Sequence, residues 1–144
     1  MTTQNYANHR QIVPMYHFVL FFLLLLTLIG SCVNLYQSLA DHQRLYSASL
    51  ILVLTVALLI LFFLCRIFAL KAQDRAIRAE ENLRHFALTG KLLDPRLGIR
   101  QVIALRFAPD GEFEMLAHRA AQESLAPDAI KQAIKQWRPD TYRV

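Results

Sequence analysis

The chain has 144 residues, 55% of them hydrophobic, with a net charge of +5, a mean hydropathy of +0.29 and only two cysteines. That balance excludes an intrinsically disordered chain and a disulfide-stapled secreted scaffold. The charge is also unevenly spread: residues 66–144 carry 14 basic and 10 acidic groups, whereas the first 65 hold only Arg10, Arg44 and Asp41.

Residues 1–17 form a polar, aromatic-bearing N-terminal segment in which Pro14 suits the first turn of a helix, and Tyr16 and His17 suit a membrane interface. Two uncharged apolar runs follow, 18–40 and 46–65, separated by the short loop 41–45. At about 1.5 Å per residue they reach ~35 and ~30 Å, enough to cross a hydrocarbon core of ~30 Å. They predict a transmembrane helical hairpin. Tyr36 and Tyr46 then sit near the far interface.

In the first helix Thr27, Gly30, Ser31, Asn34 and Ser38 recur at helical spacing. Small and weakly polar side chains let membrane helices approach and bond across the contact, so this face is expected to pack, with Asn34 turned toward Ser47, Ser49 or Thr55. Arg66, Lys71, Arg75 and Arg78 flank the second run, while the loop holds Arg44 offset by Asp41. The positive-inside bias therefore predicts both termini in the cytoplasm.

Past Cys65 no Gly or Pro occurs until Gly90, so the second helix is expected to continue through 66–90. Ala69, Ala72, Ala76, Ala79, Leu83 and Phe86 repeat at three and four, an interaction seam able to receive another helix. Glu80 and Arg84 stand at i,i+4 spacing, suited to an ion pair. Residues 91–144 predict a small helical cytoplasmic domain. One helix starts at Asp94-Pro95 and runs through Phe107 (residues 102–107 could alternatively be a strand). A second opens at Pro109 with Phe113, Leu116, Ala117 and Ala120 inward. A third opens at Pro127 with Ile130, Ala133, Ile134 and Trp137 inward. The fold class is thus all-α.

Arg96, Arg100, Arg106 and Trp137 make a candidate basic and aromatic face, suited to a protein partner or to anionic lipid. The intermixed acids and the lack of a recognition helix speak against nucleic acid. Five histidines without helical pairing, and no Cys-x-x-Cys, speak against a metal or a cofactor; a haem on His17 is the weaker reading beside an interfacial histidine. No Gly-x-Ser-x-Gly or phosphate-cradling loop occurs and neither apolar run holds a charge, so no catalytic residue is expected. Ile29-Gly30-Ser31-Cys32 has the pattern of a lipoprotein processing signal, but its leader is long and poorly basic.

The segments Gln4-Asn5-Tyr6-Ala7-Asn8-His9 and Pro14-Met15-Tyr16-His17-Phe18, with 100–108, 130–137 and Tyr142-Arg143-Val144, resemble an uncharacterised family of short bacterial two-helix membrane proteins. The resemblance spans nearly the whole chain and implies an inner-membrane protein rather than a lipoprotein, without implying an activity. That family often places Ser or Thr before its last two helices, where this chain has Pro109 and Ala126. The expected function is a non-enzymatic structural or accessory membrane protein, self-associating or bound to other membrane subunits. The alternative is a sensor of anionic lipid or a small ligand.

Overall fold

The computed structural model describes residues 4–8 and 12–140, which are all-helical with no strand among them. Five α-helices follow one another: α1 Phe21–Gln37, α2 His42–Thr89, α3 Ile99–Leu105, α4 Asp110–Gln122 and α5 Pro127–Ala133. A π-helical stretch, Met15–Leu20, leads directly into α1. The chain divides into two units, one holding residues 12–69 and the other residues 4–8 with 70–140.

In the first unit, Met15–Gln37 and α2 are each long and apolar enough to cross a membrane. Most of their large side chains are exposed, Leu26 and Val53 to 66% and 65%, unlike core helices of an aqueous protein. The turn between the helices falls earlier than the expected loop 41–45. Ser38 closes α1 through the carbonyls of Asn34 and Leu35, and Asp41 caps α2 by accepting the Gln43 N–H at 3.0 Å. An Asp before a helical run is a readable start signal; the apolar run length masked it.

The packed face of α1 also differs from expectation. Leu24, Ser31 and Ser38 are buried on α1, and Ala48, Thr55 and Phe62 on α2, each series recurring every seven residues. Phe62 stacks on Tyr16 at 4.3 Å, accepts the Tyr16 hydroxyl proton at its carbonyl, and lies 6.2 Å from Phe21. Of the predicted packing residues Ser31 and Ser38 are buried; Thr27, Gly30 and Asn34 are exposed. The hydroxyls explain part of this. Thr27, Ser31, Ser38 and Thr55 all donate to carbonyls three or four residues back in their own helix, so none needs a partner across the contact.

In the second unit, α3, α4 and α5 close around Val102, Leu105, Phe107, Phe113, Ala120 and Ile130, all at most 2% exposed. The inward residues predicted for α4 are buried, as is Ile130 on α5. Two helices are shorter than expected. Asp94-Pro95 opens a turn instead of α3: the Asp94 carboxylate takes the Arg96 N–H at 2.9 Å and its carbonyl takes the Leu97 N–H at 3.0 Å. The helix starts only past Gly98, whose N–H donates to the Gln101 side chain at 2.8 Å. α5 stops at Ala133 because Glu112 of α4 accepts the N–H groups of Lys135 and Gln136 and draws that backbone out of the helix. The Arg138 N–H then donates to the Phe107 carbonyl, and Trp137 lies 4.8 Å from the Phe107 ring.

Candidate functional site

The most organised polar region lies in the second unit, where residues 70–89 of α2 meet the short helices. Glu81 and Arg84, one turn apart, both point into the contact, with side chains only 8% and 11% exposed. Burying charge is expensive unless every group is matched. Arg84 is matched four ways. Its Nη1 donates to Glu81 Oε2 at 3.0 Å, its Nε to Asp110 Oδ1 at 2.7 Å and its Nη2 to the Ala108 carbonyl at 2.7 Å, while its guanidinium lies 4.2 Å from the Phe113 ring centre. The expected Glu80–Arg84 pair therefore does not form: the fork of Arg84 turns inward to Glu81 and Asp110, leaving Glu80 exposed.

A second cation closes the other side of Glu81, with Arg138 Nη1 at 3.9 Å. A cleft of about 610 Å³ opens beside this group, lined by Glu80, Glu81, Arg84, Asp110, Trp137 and Arg138. Next to it Arg106, only 8% exposed, pairs with Asp140 at 3.1 Å. The Asp140 N–H in turn donates to the Gln4 side chain at 2.7 Å. The N-terminal motif itself is a closed turn: Asn5 N–H donates to the Asn8 side chain at 2.6 Å, and the Asn5 side chain accepts from Ala7 and Asn8. The carboxylates of Glu81, Asp110 and Asp140 each face a guanidinium, and among the described residues no Ser, Cys or His lines the cleft as a nucleophile or base. Among the described residues no group of three or more His, Cys, Asp or Glu could hold a metal. Chemically the arrangement is a fastener.

The basic and aromatic face expected from the sequence does not assemble. Arg96 is held by the Asp94 carboxylate at 2.7 Å, and its hydrogen bonds keep the Asp94 carboxyl down at about 2, below the usual 3.8. Arg106 is buried, Trp137 packs on Phe107, and Arg100 alone of the four is exposed without an ion pair among the described residues. Two of the three cations offered to a lipid surface are thus already paired within the chain.

The seam lies on the open side of α2. Ala72, Ala76, Ala79 and Leu83 are exposed, as is Phe86, while Ala69, in the other unit, is half-buried. The contact with the short helices uses the other side of α2, through Ile77, Glu81 and Arg84. Periodicity marks the free face; the fastening residues carried no such signal, because their partners lie 24 and 26 residues away.

No curated protein and no solved structure matches the chain. A family model does, over residues 1–144, and its description is a family of unknown function. The all-helical architecture with its two long apolar helices agrees with the sequence resemblance, and the chain belongs to that family, DUF6526.

Proposed function

We propose that this chain is a non-enzymatic accessory protein of the bacterial inner membrane, a hairpin anchor that presents a helical cytoplasmic unit to a partner subunit or to another copy. The observation that carries this reading is the buried fastening of α3–α5 to α2 through Arg84 and Glu81. The helix that supplies the second apolar span also holds the helical unit, as an anchor requires. The absence of charge within the apolar spans supports a scaffold over an ion or proton path. The Gln4–Asp140 hydrogen bond supports an even number of crossings, because its two partners flank both apolar helices. Arg66, Lys71, Arg75 and Arg78 favour the cytoplasm as their common side.

Alkaline carbonate extraction of membranes, combined with reporter fusions after Val144, tests the anchor. Retention in the pellet with a cytoplasmic reporter is expected. A chain that stays dissolved without detergent, or a reporter active outside the cytoplasm, refutes it.

A further inference from the structure

The face of α2 that carries Ala72, Ala76, Ala79, Leu83 and Phe86 is exposed along its whole length. Leu83 and Phe86 are 68% and 52% exposed there, on the side of α2 opposite Ile77 and Glu81. Apolar groups of this size on a helix held in water favour a cover. We propose that the cover is the same face of a second copy, with the two α2 helices running parallel; this rests on the anchor reading above and names its partner.

Three observations select that occupant. Two copies inserted in one bilayer with the same sense must carry their α2 helices in the same direction. In a parallel pair built on positions 72, 76, 79, 83 and 86, the flanking residues that meet are five apart, one from each chain. Those residues are Arg75 and Glu80, both exposed and neither in an ion pair among the described residues. The two-fold axis makes the match twice, Arg75 to Glu80 of the other copy and the reverse, so the face is complementary to itself. An antiparallel pair would set like against like. Finally, α3–α5 sit on the far side of α2, and the small side chains of Ala72, Ala76 and Ala79 permit close approach. Four turns of seam are short for a free coiled coil, and confinement to one bilayer supplies the local concentration that such a length lacks.

The test is cysteine cross-linking of the full chain in membranes, in a background with Cys32→Ser and Cys65→Ser. Ala79→Cys and Leu83→Cys should each give a disulfide-linked species of twice the chain mass under mild oxidation, because matching positions meet across a parallel seam. Arg78→Cys, exposed but off the seam, should not. Arg75→Glu in the Leu83→Cys chain should lower the yield roughly tenfold, as two attractions become two repulsions, and adding Glu80→Arg should restore it. No doubled species at either seam position, equal yield from Arg78→Cys, a product with a foreign chain, or no recovery in the charge swap would each overturn the proposal. A chain retained by carbonate-washed membranes but not cross-linked sinks the dimer alone. A chain released by that wash sinks the anchor.

Discussion

Replacing Arg84 by Met keeps most of the side-chain volume but removes the guanidinium on which the fastening depends. Glu81 would then be a carboxylate with 8% exposure whose nearest cation is Arg138 at 3.9 Å. Leaving one partner of a buried pair uncompensated costs about 3–5 kcal/mol. The Ala108 carbonyl also loses its Nη2 donor, a neutral loss of about 1 kcal/mol that falls within the same range. Adding Glu81→Leu removes the stranded charge, so the double variant should recover roughly half of the deficit or more. Trp137 is the chain's one tryptophan and packs on Phe107 in the same unit, so its fluorescence in a denaturant titration in detergent micelles reports this region's unfolding. A loss below about 1 kcal/mol for Arg84→Met, or a double variant weaker than the single, would refute a buried matched charge as the fastener.

Three further outcomes are expected. Gly90 ends α2 at φ +72, so Gly90→Ala should destabilise by about 1–2 kcal/mol, read as a lower Tm of the helical signal. Ala48 is 1% exposed in the hairpin contact whereas Gly30 is exposed; Ala48→Leu should cost about 1–3 kcal/mol in thermal melts in detergent, and Gly30→Leu should cost clearly less. Asp94 has its folded-state value lowered, so its contribution is complete above the ordinary 3.8 and fades as pH falls toward about 2. Stability curves of Asp94→Asn and the parent should accordingly converge across that interval, and a gap that widens on acidification would contradict the Arg96 hydrogen bonds as its cause.

What the sequence made legible is what depends on local periodicity and chain stiffness. The two apolar helices, the run of α2 to Gly90 and the inward face of α4 all follow from spacing within one segment. The contact face of α1 is legible only in part: Ser31 and Ser38 lie in it but Thr27 and Asn34 do not, and a hydroxyl that bonds its own backbone can sit on either side of its helix. The boundaries of α3 and α5 were misplaced for a different reason. Asp94 and Glu112 each capture backbone N–H groups, and a carboxylate's choice between a cap, a turn and a distant strand of chain is not set by its neighbours. The same holds for Arg84, which was assigned to Glu80 by the i,i+4 rule but reaches Asp110, 26 residues on. Arg106 offered no warning of burial, since its partner Asp140 is also remote in sequence.

The bond between Gln4 and Asp140 spans 136 residues, and both long apolar helices lie between its two partners. It can form only after Asp140 has been made, so the segment at Gln4 must wait while both helices are synthesised. Under the anchor reading proposed above, a molecule whose second span failed to return through the bilayer would hold these partners on opposite faces, where no thermal motion could join them. On that reading, closing this bond is a geometric checkpoint on insertion, leaving wrongly threaded chains with a raw, uncompleted surface.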